Sequence, residues 1–252
     1  MRKKTDPKSF TVLAVEQVTP NMRNVSLGGP ALSTFPASQD GGYVKLILSS
    51  GRLLSRPLMR TYTIRRQTPE RLDIEFALHG ANGEGGPAVE WAMKAQPGDE
   101  ITVGGPGPAK PLEPGADWYF IIGDMTSLPA IAVNLAQLPE DARGDVVVEV
   151  RSERDRQPLE HPEGIRLHWV YNSEPGENTD AFERKMRSIE WPDGHVYAWS
   201  ATEFEMMRRV RSYLRDERKL QKGQFYISSY WKKGANEDAH KKVKREDATA
   251  NA

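Results

Sequence analysis

Between residues 104 and 115 the chain reads Gly104-Gly105-Pro106-Gly107-Pro108, then Pro111 and Pro114-Gly115. Proline has no backbone N–H and glycine no side chain to pack, so this stretch is read as unable to continue a helix or a central strand. The hydrophobic pattern differs in kind on its two sides. Before it, short runs alternate apolar and polar residues: Phe10–Thr19, Asn24–Leu27, Tyr43–Leu48, Arg60–Arg65, Leu72–His79 and Ile101–Val103. Gly28-Gly29-Pro30, Gly41-Gly42 and Pro97-Gly98-Asp99 punctuate them, a spacing that predicts an antiparallel barrel or sandwich. A helix from Pro87 to about Ala95 interrupts the strands, with proline in its first turn.

After the break, Trp118–Ile122 is a continuous apolar run, as expected of a strand covered on both faces. Gly123–Ser127 turns the chain into a helix from Leu128 to Leu138. Val146–Val150, Ile165–Val170, Val196–Trp199 and Phe225–Ile227 read as further strands, with helices around Ala181–Arg187 and over Thr202–Glu217. Strands alternating with helices predict a Rossmann-like α/β domain, a parallel sheet with helices on both faces. At about 150 residues per domain, 252 residues accommodate both. The expected organisation is a β-barrel domain over 8–108, an α/β domain over 115–230 and a polar C-terminal extension over 231–252, whose last ten residues read as disordered.

The 35 Lys+Arg balance 35 Asp+Glu, so the chain lacks the general attraction to phosphate backbones, and nucleic acid is not an expected partner. With no cysteine there are no disulfides, thiolate nucleophiles or iron–sulfur ligands. No apolar run reaches the roughly 18 residues of a membrane span, and the basic start Met1-Arg2-Lys3-Lys4 has no apolar stretch behind it. A cytoplasmic monomer is expected, away from membranes.

Arg60-Thr61-Tyr62-Thr63 is the most informative segment. On a strand Arg60 and Tyr62 share one face, where a guanidinium can grip phosphate oxygens and a phenol can lie against a flat ring. A threonine beside them can hydrogen-bond a ring nitrogen. Those are the needs of a flavin dinucleotide, although an ordinary amphipathic strand carries the same residue types. His79-Gly80 and Gly85-Gly86-Pro87-Ala88 follow, then Trp91. The glycines permit close backbone approach, and Pro87 opens a helix whose free amides suit a pyrophosphate. Trp91 would cover an adenine or pack against the barrel. No nucleophile elbow, zinc-protease helix or P-loop occurs. The five histidines lack metal-ligand spacing, so no metal site is expected; His168 and His195 read as core residues, and Met206-Met207 as core filler.

These segments, with Tyr43-Val44-Lys45-Leu46, Gly123-Asp124-Met125-Thr126-Ser127-Leu128-Pro129-Ala130 and Tyr226–Lys232, occur in the order found in the siderophore-interacting proteins. The chain resembles that family of flavin-dependent ferric-siderophore reductases, within the ferredoxin-reductase-like superfamily, from about residue 10 to 240. The resemblance implies a Greek-key barrel that binds FAD and a nucleotide-binding-like α/β domain behind it. It implies that Arg60 meets the FAD phosphates, with Thr61, Tyr62 and Thr63 along the ribityl chain and ring. His79, Gly86, Pro87, Ala88 and Trp91 would line the phosphates and adenine. Asp124, Thr126, Ser127 and Trp231 fall where the family's second domain faces the cofactors. The turn after Ile122 departs from Gly-x-Gly-x-x-Gly, which leaves NADH, NADPH or a small ferredoxin open as donor. No protein side chain is expected to act as a catalytic group, because the flavin carries the chemistry. An anionic ferric siderophore would be drawn by Lys45, Arg52, Arg56, Lys232 and Lys233. Two other readings stay open: a flavin-containing protein that sequesters ferric siderophores without turnover, and a general flavin reductase with another acceptor.

Overall fold

The computed structural model describes residues 6–48, 58–78 and 86–250, and the chain divides into two units, Met1–Pro111 and Leu112–Ala252. In the first, β1 (Lys8–Thr19), β2 (Met22–Gly28), β3 (Tyr43–Leu48), β4 (Leu58–Gln67), β5 (Leu72–Ala77) and β6 (Glu100–Gly107) close into a barrel. Its order is β1-β2-β5-β4-β3-β6, antiparallel throughout. The alternation in β3 has its expected consequence: Val44, Leu46 and Leu48 are buried, while Tyr43, Lys45 and Ile47 are only half-buried. The inward residues meet Phe10, Ile64, Ile74 and Val103 in one core. Helix α1 (Gly86–Lys94) adds Ala88 and Ala92 to it.

The two units divide inside the glycine- and proline-rich stretch, but its first residues do continue a strand, contrary to the expectation. β6 continues through Gly107. Its ladder to β1 stops at Val103, and beyond that it pairs with β3, as Lys45↔Gly104 and Tyr43↔Gly107 with a bulge between. Pro106 falls at this bulge, where a missing N–H is tolerated. Gly107 is bare for a packing reason: the Tyr43 ring lies where its Cβ would be.

The second unit runs β7 (Trp118–Asp124), α2 (Leu128–Ala136), β8 (Gly144–Val150), β9 (Ile165–Tyr171), α3 (Asp180–Arg187), β10 (Val196–Glu203), α4 (Phe204–Ser212), β11 (Phe225–Trp231) and α5 (Glu237–Ala250). All neighbours in the sheet β11-β10-β7-β8-β9 are parallel. Every residue of β8 and β10 is buried, as the near-continuous apolar runs require. One face carries Phe120, Ile122, Val147 and Ala198 against Phe182 and Met186 of α3 and Met206 and Val210 of α4. Met206 and Met207 are both core residues, as read.

Three sequence expectations are corrected here. The long helix starts at Phe204, not Thr202, because β10 keeps pairing with β11 as far as Glu203↔Trp231. It ends in a π-helical turn, Tyr213–Glu217. The tail is helical rather than disordered, and its helix α5 is pinned to the unit. His240 meets Ser229 Oγ at 2.8 Å, Lys244 donates to Ser228 Oγ and the Ser229 carbonyl, and Arg211 forks onto Asp247 at 2.5 and 2.8 Å. Burial, then the Lys244 charge, holds His240 down at about 4, so its ring is neutral. Neither His168 nor His195 is a core residue: His168 bonds Asp145 at 2.6 Å in a half-exposed position, and His195 is exposed. Among the described residues no helix is long and apolar enough to cross a membrane.

Candidate functional sites on the two units

On the barrel, register decides which side chains meet. Val44↔Tyr62 and Leu46↔Arg60 are partners across β3 and β4, so Arg60 and Tyr62 share the inward face with the core residues of β3. Tyr62 is half-buried and packs on Phe76 with ring centroids 4.4 Å apart, and Phe76 packs on Trp91 at 5.8 Å. These three rings form a shelf that fixes the phenol. Trp91 packs on the barrel through Phe76. The β4–β5 ladder begins at Ile64↔Ile74, so residues 58–63 stand in the sheet through β3. Arg60 donates to the Met59 carbonyl at 3.0 Å.

The opposite face of the same strand pair carries Tyr43, Lys45, Thr61 and Thr63 by register. Lys45 donates to Thr61 Oγ1 at 2.7 Å and sits 5.7 Å from the Tyr43 ring centre. Gly86 opens α1 at φ +75, a left-handed backbone that favours glycine, and no described atom lies within 4 Å of where its Cβ would stand. Pro87 and Ala88 follow in the first turn, with Ala88 buried. His79, Arg52 and Arg56 lie outside the described residues. A flavin nucleotide fits this set: a rigid half-buried ring, a guanidinium on the same face, and a glycine at a helix start with no described atom against it.

The second unit gathers its polar residues where the strands end. Asp124 closes β7, Glu149 is its cross-strand partner on β8, and Glu203 closes β10. All three carboxylates are buried. Asp124 accepts from Thr126 N at 2.9 Å, Thr126 Oγ1 at 2.5 Å and Trp231 Nε1 at 2.9 Å, and from the Glu203 backbone N–H. Burial pushes its carboxyl above the ordinary value against the pull of those bonds. Glu149 accepts from Asn172 Nδ2 at 3.0 Å and is pushed up to about 7, chiefly by burial and then by Asp124 and Glu203. Glu203 caps α4, accepting from Glu205 N at 2.5 Å, and takes the Lys233 backbone N–H at 3.0 Å.

Ser127 Oγ closes the turn by accepting from Asp124 N at 3.1 Å, and a Cβ on Gly123 would collide with Ser127 Oγ and Ile131 Cδ1. Lys232 pairs with Glu205 at 2.9 Å and lies over the Phe204 ring, and the Lys233 ammonium pairs with Glu177. Sequence reasoning missed Glu149, Glu203 and Asn172. A charged residue inside Val146-Val147-Val148-Glu149-Val150 was the available signal for the first. Among the described residues no group of acidic or histidine side chains is arranged to hold a metal ion.

Comparison with known proteins covers both units. A family model described as siderophore-interacting FAD-binding domain matches residues 11–53 and 52–110, and one described as siderophore-interacting protein matches residues 116–234. Ferric vibriobactin reductase ViuB of Vibrio cholerae serotype O1 is 32% identical over 254 residues, covering 93% of this chain and 92% of that protein. The NADPH-dependent ferric-chelate reductase of Escherichia coli K12 is 25% identical, covering 81% of this chain and 84% of its own length. Among solved structures, the siderophore-interacting protein SipS from Aeromonas hydrophila superposes with a TM-score of 0.86 at 32% identity, over 96% of this chain and 98% of the other.

Proposed function

The chain belongs to the siderophore-interacting protein family, and on that premise we propose that it is a flavin-dependent ferric-siderophore reductase that releases iron inside the cell. The observation that carries the reading is the match of both units, in order, to the two family domains, together with the placement of Arg60 and Tyr62 on one face of the barrel. Bound FAD would supply the change from two-electron to one-electron transfer that reduction of iron(III) needs.

The chain's own residues bind and orient. Tyr62, held by Phe76 and Trp91, offers a ring that does not have to be ordered on binding, which favours a flat partner. Arg60 provides a fork for phosphate oxygens, and Thr63 a hydroxyl and main-chain groups for a polar ring edge. Gly86, against which no described atom lies, and the first turn of α1 that it opens with Pro87 and Ala88 would take the remaining phosphates. Lys45 and, beyond the described residues, Arg52 and Arg56 raise the local concentration of an anionic ferric chelate. No side chain needs to move a proton for an outer-sphere electron to reach the metal. Iron(II) is held weakly by hard oxygen donors, so its reduction amounts to release.

The electron donor is NADH, NADPH or a ferredoxin; the name of the Escherichia coli relative supports a nicotinamide donor. The test is iron(II) formation from a ferric siderophore, trapped by a chromogenic chelator, after the bound flavin has been reduced with dithionite. A rate above that of free reduced flavin supports the reading. A protein that binds the ferric siderophore but yields no iron(II) refutes it.

A further inference from the structure

From β7 the chain moves outward through β8 to β9, then returns to β10 on the other side of β7. Where β7 and β10 lie together the strand order reverses, and open α/β sheets use that crevice, with the helix N-termini that follow, to hold phosphates. Two helices start there, α2 after β7 and α4 after β10, and in both cases the preceding strand ends in a buried carboxylate.

At the first, Asp124 collects four donors: Thr126 N, Thr126 Oγ1, Trp231 Nε1 and the Glu203 N–H. Its carboxyl oxygens are thereby occupied from the turn itself, from β11 and from the end of β10. Several main-chain amides around the start of α2 are also engaged within the turn. Ser127 N bonds the Asp124 carbonyl, Ala130 N and Ile131 N both bond the Ser127 carbonyl, and Pro129 has no N–H. At the second, Glu203 takes Glu205 N, Met206 N and Lys233 N. The lysines after β11 place their ammonium groups on Glu205 and Glu177 rather than on this pair.

We propose that Asp124 and Glu203 are specificity-determining residues that shut dinucleotide phosphates out of the switch point, so that any nicotinamide donor is used without a hold on its pyrophosphate and adenylate half. A pyrophosphate entering the crevice would meet two buried carboxyl groups and find the donors that face them already taken. Gly123, which a dinucleotide fold would use for close phosphate approach, instead lets Ser127 and Ile131 pack on the strand.

The inference rests on the redox reading only for its readout with donors, and its first test does not involve electron transfer. FAD-loaded protein is titrated calorimetrically with 2′-phospho-ADP-ribose. Wild type is expected to bind more weakly than about 1 mM, and the D124N/E203Q variant at least about tenfold more tightly than wild type. Micromolar binding by wild type, or no gain in a folded double variant, overturns the proposal. Should the double variant not fold, the wild-type donors decide. Reduced nicotinamide mononucleotide, which lacks the adenylate half, is expected to reduce the flavin with a kcat/KM within about threefold of NADPH. An NADPH advantage of about a hundredfold or more overturns the inference. Failure of the reductase reading would show separately, as absent iron(II) after dithionite reduction.

Discussion

Replacing Glu149 by glutamine removes a proton equilibrium while leaving an acceptor for Asn172 Nδ2. In the folded chain Glu149 is pushed up to about 7, against 4.5 for an ordinary glutamate. The folded state therefore keeps this proton over a range in which the unfolded chain has lost it. Stability is fully present below pH 4.5, declines as pH rises, and is lost once pH passes 7. The gap of about 2.5 pH units corresponds to about 3 kcal/mol, of which roughly 2–3 kcal/mol falls between pH 5 and pH 8. E149Q has no such slope. Urea unfolding at each pH, followed by tryptophan emission, reads the second unit, which holds five of the six tryptophans. Subtracting the variant's curve from the wild type's cancels the other titrating groups. Wild type should lose roughly 2–3 kcal/mol relative to E149Q on going from pH 5 to pH 8, with the variant the more stable at pH 8. Parallel pH profiles would mean that Glu149 is ionised throughout and that burial beside Asp124 does not govern its proton.

Tyr62→Ala removes the outer ring of the three-ring shelf and should weaken FAD retention about tenfold, read as flavin fluorescence quenching, with Tyr62→Phe close to wild type. Gly123→Ala places a methyl group against Ser127 Oγ and Ile131 Cδ1 and should cost about 1–3 kcal/mol in urea unfolding of the second unit; a neutral result would show that the turn before α2 has slack. Trp231→Phe deletes the Nε1 donor to a buried carboxylate and should cost about 1.5–3 kcal/mol in the same assay.

The architecture was legible wherever one periodicity ruled. β3 shows strict alternation and β7 a continuous apolar run, and each became the kind of strand its pattern names. Legibility failed where tertiary contact overrode local chemistry. Gly104–Gly107 looked unable to continue a strand because nothing local reveals that β3 offers a partner and Tyr43 a ring to cover Gly107. The last ten residues looked too polar to order, yet their side chains find specific partners: Asp247 pairs with Arg211, and Lys244 donates to Ser228. On the barrel, alternation alone put Arg60 and Tyr62 on one face, whereas the Phe76 and Trp91 support behind Tyr62 needed the fold. At the sheet's carboxyl edge the turn residues Asp124, Thr126 and Ser127 stood out, but Glu203 sits at a strand–helix junction that reads as plain helix. Its capping role appears only once β10 is seen to run to that residue.

The pinning of α5 bears on how the protein is handled. A minimal version trimmed after β11, where the family match ends, would discard a helix whose His240 is buried and would leave Arg211 without its carboxylate partner. Ser228 and Ser229 would then meet water in place of Lys244 and His240. The shortened protein should therefore be softer at its β11 border than the intact chain, and an affinity handle is better carried beyond residue 252 than substituted for these last turns.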